Sequence, residues 1–140
     1  MVVHPHCQGR AAGLPAADRA LLERLGYAVE VLDAGCCGLA GSFGYRAEHE
    51  TLSRRIGEEH WLPRVRAALA EAPGARLVVD GFSCRMQLDH LSELDATALP
   101  ALLRRQLEAA QSPSPSGAPR GVSPSRPGEG TRDLDLRARR

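Results

Sequence analysis

Three short apolar runs, at residues 2–4 (VVH), 27–32 (YAVEVL) and 76–80 (RLVVD), are separated by stretches in which leucine, valine and isoleucine recur at helical spacing. Leu21, Leu22 and Leu25 share one face of a helix over 15–25, closed by Gly26. Leu52 and Ile56 mark another over 46–58. Leu62, Val65 and Leu69 mark a third over 62–71, with Pro63 in its first turn. Residues 83–94 and 98–110 read as two further helices. Strands joined through helices pair in parallel, because only a crossover connection returns the chain to the same end of the sheet. The expected fold class is therefore α/β: a parallel Rossmann-like βαβαβ sheet with flanking helices. In such a sheet every strand ends at the same edge, where open α/β folds bind ligands.

The chain divides near residue 111. Residues 1–111 carry 12 Arg against 14 acidic residues and hold all the strand and helix pattern. Residues 112–140 carry 6 Arg against 3 acids and five of the ten prolines, with almost no large apolar side chains. Such a segment buries too little to offset the entropy of ordering, so a disordered C-terminal tail is expected over 112–140. All eighteen basic residues are arginine, which reads as codon usage rather than recognition chemistry, and a net charge of +1 makes no case for nucleic acid. No apolar run is long enough for a transmembrane segment, and MVVHPHC lacks the pattern of a signal peptide, so a cytoplasmic location is expected. The first strand begins almost at Met1. That leads to the expectation of a C-terminal fragment or subunit of something larger, with a truncated relic as the alternative.

Each expected strand is followed by cysteine: Cys7 after the first, Cys36 and Cys37 after the second, Cys84 after the third. The topology thus gathers all four at one edge. Four thiols converging in a reducing compartment form a soft, all-sulfur site, the donor set of iron–sulfur clusters or zinc. Adjacent cysteines suit a cluster of several irons better than one tetrahedral ion. Gly35, Gly38, Gly41 and Gly44 surround the pair, and glycine lets backbone N–H groups turn toward sulfur. Cys84 opens a helix, whose dipole favours thiolate. His4 and His6 flank Pro5 beside Cys7. Arg10 and Arg85 lie close in sequence to Cys7 and Cys84, positioned to offset cluster charge or bind a carboxylate. Phe43 and Phe82 are expected to shield the site, and His49, His60 and His90 to be surface or satisfied residues. Two other chemistries fit the same residues: a structural zinc-binding assembly domain, and a vicinal-thiol redox protein using Cys36 and Cys37. A nucleophilic cysteine with His4 or His6 as base lacks an acidic orienter.

The strings His4-Pro5-His6-Cys7, DAGCCGLAGSFG over 33–44 and Gly81-Phe82-Ser83-Cys84-Arg85-Met86-Gln87 resemble the cysteine-rich CCG domain. That family includes the cysteine-rich subunit of heterodisulfide reductase and the iron–sulfur subunit of glycolate oxidase. The likeness is strongest to the C-terminal end of FAD-linked 2-hydroxyacid oxidases of the D-lactate dehydrogenase type, and it covers about residues 2–105. It implies an iron–sulfur electron-transfer module of a FAD-dependent 2-hydroxyacid (lactate or glycolate type) oxidoreductase. Cys7, Cys36, Cys37 and Cys84 would hold the metal, and Gly38 and Arg85 would complete the cofactor-binding surround. The FAD would sit on a partner domain or chain, a flavoprotein accompanied by a ferredoxin-like iron–sulfur domain or subunit. The family pattern ends in CxxC, and Gln87 stands here in place of its second cysteine. A simple four-iron (4Fe-4S) cluster on four thiolates is therefore expected rather than a larger multi-cysteine cluster.

Overall fold

In the computed structural model, which describes residues 1–111, strand β1 (Val2–His4) is buried at every position and stops at Pro5, which has no N–H to offer a ladder. It is the middle strand of a three-stranded parallel sheet of order β2-β1-β3. Val2 and Val3 align with Glu30 and Val31 of β2 (Glu30–Val31), and Val2, Val3 and His4 with Leu77, Val78 and Val79 of β3 (Leu77–Val79). The expected strand over 27–32 thus contracts to two residues. It lies at the sheet edge with only β1 beside it, and the Ala28 carbonyl is held by the Met1 ammonium at 2.7 Å instead of a strand partner. Beyond β3, Thr97 adds a parallel bridge to Val78.

Helices cover both faces, and alternation along the strands decides which residue meets which helix. Val2, Leu77 and Val79 pack on one side against Trp61, Leu62, Val65 and Leu88. Val3 and Val78 pack on the other against Leu22, Leu99 and Leu102. The elements concerned are α2 (Leu14–Arg24), α4 (Leu62–Glu71), α5 (Phe82–Leu91) and α6 (Leu99–Gln111). Three leucines at helical spacing stay largely in solvent: Leu21 and Leu25 are 40% and 42% exposed, and Leu52 is 51% exposed. A sheet this narrow accepts little more than the Leu22 row of α2. The helix bearing Leu52, α3 (Ala47–Ile56), buries Ser53 instead, because it packs on the loop that carries Cys36 and Cys37.

The separate helices expected over 46–58 and 62–71 form one continuous rod. A π turn, Gly57–Trp61, links α3 to α4, with the Leu62 N–H reaching back to the Gly57 carbonyl. Pro63 removes the next N–H, so the wide turn leaves one donor fewer to satisfy. Its consequence is the placement of Trp61, which is wholly buried. One further short helix, α1 (Cys7–Ala11), is not evident in the sequence pattern. The disorder expected over 112–140 lies outside the described residues. No helix among the described residues is long and apolar enough to cross a membrane.

Candidate metal centre

The four cysteines come from three strand-end connections and line one tight gap, too narrow for a water molecule, together with His4 and His6. Cys7 is the first residue of α1 and is exposed. Cys36 is half-buried, and Cys37 and Cys84 are buried. The order β2-β1-β3 places the connections after β1 and β3 on either side of the point where the chain reverses its direction across the sheet. Ligand crevices open there in α/β sheets.

Backbone geometry in the 35–41 loop aims N–H groups at sulfur. Gly38 donates to Cys36 Sγ at 3.3 Å. The backbone N–H groups around Leu39 and Ala40 lie where they favour a Cys37 thiolate. Gly38 has φ +95°, and a Cβ there would run into the Ser53 carbonyl, so neither the turn nor the packing of α3 tolerates a side chain. Ala40 adopts φ +45°, the one non-glycine residue with positive φ among those described. Successive residues of this kind curl the backbone into an anion-binding concavity. At the opposite wall, a Cβ on Gly81 would strike the His6 ring and lie 3.0 Å from Cys84 Sγ. The bare backbone there lets α1 and the start of α5 close on each other, bringing Cys7 toward Cys84.

The thiols are coupled. The hydrogen bond with Cys84 is the main cause drawing the Cys37 thiol down to about 6, against the opposing effect of burial and with help from the loop N–H groups. The same contact, followed by burial, holds the Cys84 proton well above the ordinary thiol range. Burial also pushes Cys36 up, partly countered by the Gly38 N–H. As they stand, no three His, Cys, Asp or Glu side chains among the described residues are grouped so as to hold a metal ion. The donor set nevertheless suits iron–sulfur ligation: four soft sulfurs around one cavity, Cys36 already receiving a backbone N–H bond.

His4 is 1% exposed and borders the same cavity, and its Nδ1 accepts from Trp61 Nε1 at 3.2 Å. Desolvation first, then the nearby Arg10 and His6, lower its pKa to about 4, so it is neutral at pH 7. His6 caps α1, its Nδ1 accepting from the Gln8 N–H at 3.3 Å. The two arginines are occupied elsewhere. Arg10 pairs with Asp33 and donates to the Leu32 carbonyl at 2.6 Å, tying α1 to the end of β2. Arg85 donates to the Val79 and Asp80 carbonyls, both at 3.2 Å, at the end of β3. Phe82 is 68% exposed on the rim of a larger cleft beside Cys7 and does not shield the thiols. Phe43 stacks on His49 at 4.0 Å, and His49 also contacts the Phe43 carbonyl at 3.2 Å. Gln87, at the position of the missing cysteine, is buried outside the thiol cavity, donating to the Ser53 carbonyl (3.1 Å) and hydroxyl (3.3 Å). Trp61 is a part of the site that sequence reasoning misses. Its signal is chemical rather than periodic: a chain's single indole, once buried, needs an acceptor.

Part of the chain is similar to segments of two kinds of dehydrogenase. The chain is 35% identical over 85 residues to D-2-hydroxyglutarate dehydrogenase of Escherichia coli K12, covering 59% of this chain and 8% of that protein. The Pseudomonas putida protein of the same name is 31% identical over 91 residues, 63% of this chain and 8% of the relative. A subunit of the anaerobic glycerol-3-phosphate dehydrogenase of Escherichia coli K12 is 33% identical over 96 residues, 67% of this chain and 23% of that relative. The chain thus spans less than a tenth of the length of the first relatives, matching a short segment of each. No protein-family profile matches it, and no solved structure does.

Proposed function

We propose that the chain is an iron–sulfur electron-transfer module of a FAD-linked 2-hydroxyacid oxidoreductase, with Cys7, Cys36, Cys37 and Cys84 as the metal ligands. The observation that carries this reading is the meeting of all four cysteines, from three strand-end loops, around one cavity. A bound cluster supplies one-electron redox chemistry there. The protein contributes four thiolates, the N–H groups of the 38–40 turn as donors to sulfur, and a buried wall of Val79, Trp61 and Leu88 behind the site. Substrate oxidation belongs to a flavin-bearing domain or chain, so this module alone is expected not to turn over a hydroxyacid. Similarity to segments of two dehydrogenases supports an oxidoreductase setting, and the name of one relative as a subunit supports a multi-subunit assembly. D-2-hydroxyglutarate is itself a 2-hydroxyacid, which agrees with the substrate class more than with lactate or glycolate in particular.

The test is a set of single Cys→Ser variants at positions 7, 36, 37 and 84, purified without oxygen. Each is expected to lose most of the absorbance near roughly 400 nm that thiolate-to-iron charge transfer gives. Full colour in all four variants contradicts the ligand assignment.

A further inference from the structure

His4 ends the central strand with its side chain on the Val2 face, under α4, and is covered by Trp61 with ring centroids 5.1 Å apart. Indole Nε1–H is only a donor, so His4 Nδ1 in this pair is the acceptor and the imidazole proton sits on Nε2. His4 also lines the cavity of the four cysteines. Both rings are buried, Trp61 at 0% and His4 at 1% exposure, so packing leaves the imidazole little room to turn over. The side-chain cations near in sequence, Arg10 and Arg85, are bound to Asp33 and to backbone carbonyls instead.

We infer that Trp61 fixes the tautomer of His4 so that Nε2–H is presented to sulfur in the cysteine cavity, making His4 and Trp61 positioning residues for the group bound there. The inference rests on the iron–sulfur reading above. Metal-site histidines are commonly oriented by the hydrogen bond at the other ring nitrogen. Here the arrangement is inverted: the buried partner Trp61 is a donor, so the proton is left on Nε2, the other nitrogen of a ring that borders the cysteine cavity. A side-chain N–H of fixed direction would join the backbone donors of the 38–40 turn. Hydrogen bonds to cluster sulfur stabilise the reduced, more negative state and raise the midpoint potential.

Two measurements on the full 140-residue chain test this. In metal-free protein labelled with 15N-histidine, long-range 1H–15N NMR should show His4 as the Nε2–H tautomer and Trp61→Phe should give a mixture of both. After anaerobic loading with iron and sulfide, redox titration should show a lower midpoint potential in Trp61→Phe and His4→Leu than in wild type. His4→Gln should recover most of the difference, since an amide can accept from the indole and donate onward. If Trp61→Phe does not fold, the His4→Gln and His4→Leu pair carries the test. An Nδ1–H tautomer in wild type, or equal potentials in wild type and His4→Leu at equal iron content, overturns the inference alone. A folded wild-type chain that takes up no iron overturns the cluster reading and the inference with it, and metal analysis distinguishes that failure from the first.

Discussion

A histidine sealed beneath a tryptophan, beside four thiols, behaves unlike a surface one. Folded His4 resists protonation down to about 4, whereas the unfolded chain takes up that proton near 6.5. Between these values the unfolded state binds more protons, so the contribution is complete above pH 6.5 and is lost as pH falls toward 4. At about 1.4 kcal/mol per unit, wild type should lose on the order of 3 kcal/mol across that window. His4→Gln should remove most of this slope in urea melts at about pH 7 and about pH 4.5, and an unchanged slope would contradict the assignment. Gln87 makes a second prediction at this scale. Gln87→Leu removes the side-chain donor to the Ser53 hydroxyl and one of two donors to the Ser53 carbonyl, which keeps the Gly57 N–H, and should cost about 1 kcal/mol in denaturation. Iron uptake should persist in the folded variant, since position 87 lies outside the thiol cavity. The sequence shows that a cysteine is missing at 87. It does not show that the substitute staples α5 to α3, because Ser53 lies 34 residues away and follows no motif.

Among the elements, the 35–41 loop and the α3–π–α4 rod govern the site. Gly38 and Gly74 both have positive φ, but only Gly38 meets backbone in the place of a side chain. Gly74→Ala should cost about 1 kcal/mol, the left-handed penalty alone. Gly38→Ala should cost at least about 2 kcal/mol more, because α3 must also move. Its folded fraction should take up several-fold less iron, and denaturation with metal analysis of both variants checks the contrast. The strands are legible because parallel strands buried on both faces are apolar runs punctuated by proline and glycine. Helix faces are less so. Leu21, Leu25 and Leu52 satisfy helical spacing yet stay exposed, because periodicity does not reveal how narrow the sheet is or that α3 rests on a loop. The π turn is invisible for a related reason: Pro63 reads as a helix start, and only the fate of the Leu62 N–H shows that the preceding helix never ends.

At the scale of the whole molecule, the convergence of Cys7, Cys36, Cys37 and Cys84 is legible from topology, since parallel strands deliver their C-terminal loops to one edge. The surroundings are not. Arg10 and Arg85, near cysteines in sequence, turn to carbonyls and to Asp33 in the fold, while Trp61, distant in sequence, lies behind the site. A described sheet of three strands supplies a modest core, and the proposed thiolate–metal bonds would form only in the folded arrangement. Metal loading should therefore raise the thermal midpoint, and chelation of the loaded chain should lower it again, as calorimetry would show. The most direct measurement is iron, zinc and acid-labile sulfide per chain in wild-type protein purified without oxygen. A brown protein with about four iron and four sulfide per chain is expected. About one zinc without sulfide, or a well-folded chain with no metal, would contradict the iron–sulfur reading.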